Sequence, residues 1–154
     1  MKTLLAVLVL SLSALAQDAK PIIPNDTFTS PTTIPPRTFQ QVGFKVSPDS
    51  AATHLVGHFR ASGVLGRSGT HSEIVVCVMS HDQFMNWQND KRIPIDAADA
   101  LYNSHIVMQG TVDLNLAPGT YHIVFWNGIN CKDCKAYGLQ PEPKTVTAKF
   151  DLSQ

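Results

Sequence analysis

Between residues 39 and 152, apolar and polar side chains change places at every second position, interrupted at short intervals by Gly, Pro, Asn and Ser. A period of two marks strands with one buried face. Val42, Phe44 and Val46 alternate with Gln41, Gly43 and Lys45, and Ser47-Pro48-Asp49-Ser50 ends that run. Across residues 54–62, Leu55, Phe59 and Ala61 oppose His54, His58 and Arg60; residues 63–69 then carry three glycines and read as a turn. Residues 105–116 set Ile106, Met108, Val112 and Leu114 inward against His105, Gln109, Thr111 and Asp113. Ala117-Pro118-Gly119 makes a tight turn into residues 120–127, where Tyr121, Ile123 and Phe125 oppose His122, Val124 and Trp126. Residues 144–152 separate Val146, Ala148, Phe150 and Leu152 from Thr145, Thr147, Lys149 and Asp151. One run breaks the rule: residues 72–79 are apolar at nearly every position, as in a central strand covered on both faces.

A single convincing helix follows that run. Ser80-His81-Asp82-Gln83 has the form of a capping box, with Ser80 as N-cap and Gln83 reaching back. Phe84 and Trp87 then fall on one face, while Asn86, Gln88, Asn89 and Asp90 fall on the other. Asp96 capping Ala97, Ala98 and Ala100 suggests one more helical turn over residues 96–102. Six strands at short spacing with one short helix near 80–90 predict an all-β fold, an antiparallel β-sandwich of about six to eight strands.

The N-terminus reads differently. Lys2, an unbroken apolar run over residues 4–10 and a small-x-small site at Ala14-Leu15-Ala16 form a signal peptide, cleaved after Ala16. Its apolar core is too short to span a bilayer, and no later segment reaches the length a span requires. No cysteine follows the cleavage site, which argues against a lipid anchor. Residues 17–38 then hold Pro21, Pro24, Pro31, Pro35 and Pro36 among Thr, Ser and Asn, a leader expected as a tether or strand-like wrap. The expected organisation is a signal peptide at 1–16, a Pro/Thr-rich leader at 17–38 and a sandwich domain at 39–154, in a secreted or periplasmic protein.

Charge narrows the partners. Removing Lys2 with the signal peptide from 12 basic and 12 acidic residues leaves a net charge of −1 with His neutral. Nothing basic is clustered, so the electrostatic footprint of a nucleic-acid binder is missing.

Few side chains suggest chemistry. Cys77 lies in the apolar run Ile74-Val75-Val76-Cys77-Val78-Met79 and reads as a small buried hydrophobe. Cys131 and Cys134 lie in the polar stretch Asn130-Cys131-Lys132-Asp133-Cys134-Lys135, where a local disulfide stapling the loop is expected. A thioredoxin-type site needs its first cysteine at a helix start, and Gly138 and Pro141 come too soon for a helix. Zinc on both thiols would need two further ligands from distant histidines. A blue-copper site is excluded by inventory, because neither His nor Met follows Cys131. The six histidines read as solvated strand-face residues, with a metal or pH-sensing cluster as the alternative; His58 would have to meet His105 or His122 from an adjacent strand. Asp82, Asp90, Asp96 and Asp99 fit helix capping better than a calcium loop. No hydrolase elbow, zinc-protease helix or phosphate loop appears. Trp87 reads as core. Trp126 shares its strand face with His122 next to the 127–135 loop, and these two are the candidate contacts for a ligand or partner.

The stretches His54-Leu55-Val56-Gly57-His58-Phe59-Arg60-Ala61-Ser62-Gly63, 74–90, Leu116-Ala117-Pro118-Gly119-Thr120-Tyr121-His122-Ile123-Val124-Phe125-Trp126-Asn127 and Lys144-Thr145-Val146-Thr147-Ala148-Lys149-Phe150 together resemble exported bacterial β-sandwich domains, similar to GOLD-like and pre-peptidase C-terminal modules. That resemblance implies a non-catalytic binding or structural role. The expectation is an exported, non-enzymatic module of the cell envelope or extracellular space, with a protein or glycan partner, no cofactor and no catalytic or metal residues. Two alternatives stand beside it. One is a metal-handling protein using histidines with the Cys131/Cys134 loop; the other is a small secreted hydrolase or thiol redox enzyme.

Overall fold

The structure is a computed structural model that describes residues 20–21, 27–49, 53–63, 72–90, 95, 98–128 and 142–153. Seven strands of six residues or more build it: β2 (Thr27–Ile34), β3 (Thr38–Val46), β4 (Thr53–Gly63), β5 (Val75–Ser80), β7 (Gln109–Leu116), β8 (Gly119–Asn127) and β9 (Lys144–Ser153). Two strands of two residues, β1 (Lys20–Pro21) and β6 (Tyr102–Asn103), extend one sheet at its edges, and helix α1 (His81–Asn89) follows β5. One sheet has the order β1-β3-β8-β5-β6 and the other β2-β9-β4-β7. Every pairing is antiparallel except the short β1–β3 contact. The fold is an all-β sandwich. No helix of the described residues is long and apolar enough to cross a membrane.

Two apolar clusters hold it. The larger lies between the sheets, where the alternating inward residues Phe44, Leu55, Phe59, Val112, Ile123, Phe125, Val146 and Phe150 meet. The smaller lies on the far side of the β3/β8/β5 sheet, where Val75, Cys77, Met79 and Val124 are covered by Phe84, Trp87 and Ile95. The second cluster explains why β5 is apolar on both faces, and it confirms Cys77 as a buried hydrophobe. Gly57 in β4 serves the first cluster: a Cβ there would overlap the Phe150 ring and stand 2.6 Å from the Lys149 carbonyl oxygen.

Two of the corners where the chain changes sheets are well defined. At the β2–β3 corner, Pro36 and Arg37 form a turn with Arg37 at φ 59°, and the buried Asn127 amide reaches the carbonyls of Ile34 at 3.0 Å, Pro35 at 3.2 Å and Glu142 at 2.9 Å. At the second corner, residues 101–108 run along β5 and then cross to β4: Val107 bridges Ile74, and the Ala61 N–H donates to Met108 O at 2.8 Å.

This second corner corrects the expected pattern. Ile106 and Met108 are 48% and 52% exposed rather than inward, and Val107 packs on the core instead. His105 at φ 55° and the crossing between sheets shift the phase of alternation by one residue. The helical turn expected over residues 96–102 is confined to its start, where the Ala98 N–H donates to Ile95 O at 3.2 Å; beyond it the Leu101 N–H donates to Val78 O and Tyr102 enters β6, so those backbone groups pair with the β5 edge. Asp96 and Ala97 lie outside the described residues, as do Cys131 and Cys134.

The strand count exceeds the six read individually, because the proline-rich leader contributes β1 and β2 and Tyr102–Asn103 contributes β6. β2 pairs with β9 along its whole length, from Thr27↔Asp151 to Ile34↔Lys144. Both leader strands sit at sheet edges, the position where a residue without an N–H is tolerated.

Candidate functional site

The outer face of the β3/β8/β5 sheet gathers the least ordinary side chains. Strand register lays them in rows: Phe39, Trp126 and Val75; then Gln41, Val124 and Cys77; then Gly43, His122 and Met79. Helix α1 folds back over these rows because Ser80 terminates β5 and caps the helix. The Ser80 hydroxyl accepts from the Gln83 N–H at 3.3 Å, and Gln83 Oε1 accepts from the Ser80 N–H at 2.9 Å. Phe84 and Trp87, the expected inward residues, are thereby set down on the sheet.

At the start of α1 the layer closes over His122, which is 5% exposed. Its Nδ1 lies 2.5 Å from Gln41 Oε1 and its Nε2 lies 3.0 Å from Nδ1 of His81, the first helical residue. The Phe84 ring stacks on the imidazole at 4.3 Å between centroids and 17° between planes. An amide oxygen only accepts, so His122 donates from Nδ1 and carries its lone pair on Nε2. Burial and, second, the neighbouring His81 hold the His122 pKa below its ordinary value. The expectation of a solvated strand-face histidine therefore fails here: α1 covers that face. His81 itself is exposed.

Toward the other end, the rings of Phe39, Phe84, Trp87 and Trp126 meet. Phe39 packs on Trp87 at 5.1 Å with planes at 72°, and Trp87 meets Trp126 edge-on at 5.9 Å and 88°. Trp126 and Phe39 are half-buried, at the rim where β8 leaves the sheet. Gly128 permits the position of Trp126, because a Cβ there would overlap the indole.

The opposite outer face carries His58, Arg60 and Lys149 in the open, with His54 Nε2 2.7 Å from Asp113 Oδ1. His58 and His122 thus stand on opposite outer faces with the core between them, which removes the expected pairing of the two. Among the described residues no three His, Cys, Asp or Glu side chains converge to hold a metal ion. A third polar feature is Lys144, only 3% exposed, whose ammonium donates to the Glu73 carbonyl. Burial lowers its pKa, and the carboxylates of Glu73 and Glu142 work the other way.

Sequence reasoning paired His122 with Trp126 through their shared parity. It missed Gln41 and His81, whose proximity depends on which strands are neighbours and on where α1 lies. The available signal was the position of His81 immediately after a capping serine.

No family model and no curated relative matches the chain. Among solved structures it is similar to the pre-peptidase C-terminal domain of a collagenase from Bacillus anthracis, with 12% identity, a TM-score of 0.40 and coverage of 88% of this chain and 95% of that one. It is also similar to PliG of Aeromonas hydrophila, a periplasmic inhibitor of g-type lysozyme, with 10% identity, a TM-score of 0.40 and coverage of 84% and 93%. Likeness of this degree says nothing about ligand or activity.

Proposed function

We propose that the protein is an exported, non-enzymatic binding module that meets a protein or glycan partner through the Trp126 rim. One observation carries this reading: Trp126 is partly exposed yet held from beneath by Phe39, Trp87 and the backbone at Gly128. An aromatic ring fixed before contact loses little conformational entropy on binding, and its amphipathic surface suits sugars and protein side chains alike. The signal peptide expected at residues 1–16 supports the extracellular setting. His122 supports the rim indirectly, by fixing the start of the helix that carries Trp87.

The test is tryptophan emission of the mature chain titrated with chito-oligosaccharides and peptidoglycan fragments, together with cross-linking to envelope proteins. Binding that shifts the emission and is lost in both Trp126→Ala and Gly128→Ala supports the rim. Binding that survives both substitutions, or turnover of the added oligosaccharide, contradicts it.

A further inference from the structure

We infer that two copies of this chain join through the outer edge of β7, which pairs antiparallel with its counterpart about a two-fold axis at Val112. This edge belongs to the other sheet from the Trp126 rim and does not depend on that rim being a contact surface.

Of the sheet edges, β7 alone is left unshielded. β1 and β6 are two residues long, and β2 carries Pro31. β7 has eight residues with no proline, lysine or arginine among them. Its register with β4 runs unbroken from Thr53↔Leu116 to Arg60↔Gln109, so no bulge bends it away. Edges are ordinarily guarded by such devices, because a free row of N–H and C=O groups is a template for another strand. Among the described residues, no strand lies beyond β7 in its sheet.

One bond fixes which groups are free. The Ala61 N–H donates to Met108 O at 2.8 Å, one pair beyond Arg60↔Gln109 in the same register. Bonded and non-bonded pairs alternate along an antiparallel ladder. Gly110, Val112, Leu114 and Leu116 therefore turn their backbone groups toward β4. Gln109, Thr111, Asp113 and Asn115, all exposed, turn theirs to the open side.

That row matches itself. A two-fold axis normal to the sheet keeps both buried faces on one side, so residues of equal parity stand opposite one another. With Val112 on the axis, Gln109 faces Asn115 of the second copy and Thr111 faces Asp113. Every outward residue then falls in a bonded pair, and each free donor meets an acceptor. On the buried side, Leu114 falls opposite Gly110, and Met108, which is 52% exposed, falls opposite Leu116. An axis at Asp113 would set two carboxylates against each other. An axis at Thr111 would leave Asn115 beyond the end of the opposite strand. A foreign strand needs no such self-matching, whereas a closed two-fold pair requires it, and this selects a second copy as the occupant.

Sedimentation velocity of the mature chain over a concentration series, with amide exchange at both ends of the series, tests the pairing. The expected result is a reversible dimer whose formation slows exchange at Gln109, Thr111, Asp113 and Asn115 but leaves Gly110 and Val112, already bonded to β4, unchanged. Thr111→Pro removes one outward N–H without touching the β4 ladder, so it should fold and stay monomeric. Thr111→Asp, at an exposed position, should weaken the dimer about tenfold by placing like charges opposite each other twice, and adding Asp113→Lys should restore it. A chain that is monomeric throughout overturns the inference. So does a dimer unchanged in Thr111→Pro, or a charge exchange that fails to restore it. Slowing of the same amides only when another secreted protein is added would make that protein the occupant and overturn self-pairing.

Discussion

Asn127 illustrates how much one side chain arranges. Its amide faces three carbonyl oxygens from two separate segments, and it joins the β2–β3 corner to the approach to β9. Asn127→Ala leaves these acceptors dry, and the expected loss is about 3 kcal/mol, measured by urea unfolding. Tyr121 makes a similar tie, donating to Ala117 O at 2.7 Å. Burial raises its pKa above 10.0, and burial with the nearby Cys77 raises that of Tyr102. A phenol whose folded pKa is raised contributes stability below its unfolded value that is lost as pH climbs through the folded value. Stability should therefore fall above pH 10.0, with phenolate absorbance lagging that of free tyrosine, and Tyr121→Phe should make the alkaline decline shallower. At this scale the sequence was legible in direction but not in depth. The parity of His122 and Trp126 put them on one face, as the register confirms. Their burial depended on α1, whose resting place no local pattern states. Lys144 was missed for the converse reason: it shares the parity of Val146, yet a lysine at a strand end reads as solvated.

Helix α1 is the element on which the candidate site depends. It has only nine residues, too few to persist without its cap and its packing. Ser80→Ala should cost about 1 kcal/mol by denaturant titration and should loosen Trp87 against Trp126, read as a red shift in emission. The strands have their own sensitive point at Gly57. Gly57→Ala should cost about 2–3 kcal/mol, because the Lys149 backbone in the adjacent strand cannot yield as a side chain would. The elements with regular alternation were the legible ones: β3, β4, β8, β9 and α1 lie where the pattern put them. β2 was hidden by Pro31, which reads as a breaker until the strand is known to be an edge. Residues 105–108 misled because period two holds only while the chain stays in one sheet, and here it passes between sheets.

Across the whole molecule, chain order and spatial order disagree. Only β5 and β6, among strands consecutive in the chain, share a sheet; every other link crosses the sandwich. The first long strand pairs with the last, with Thr27 opposite Asp151. Such a chain closes long loops before gaining contacts, so refolding should take milliseconds to seconds by stopped-flow fluorescence. For the same reason a chain beginning at residue 39 should not fold cooperatively. It lacks β2 and the fully buried Ile34, and leaves the β9 edge uncovered. Sandwich class was legible from strand spacing, whereas the order of strands was not, because pairing partners lie far apart in sequence.

The two outer faces of the sandwich are assigned different work, and this can be tested without knowing the partner in advance. A photoreactive residue is placed at position 126 in one full-length chain and at position 58 in another, and adducts are collected from cells secreting each. The account predicts a defined adduct from position 126 and none from position 58. An adduct from position 58 with none from position 126 would contradict it.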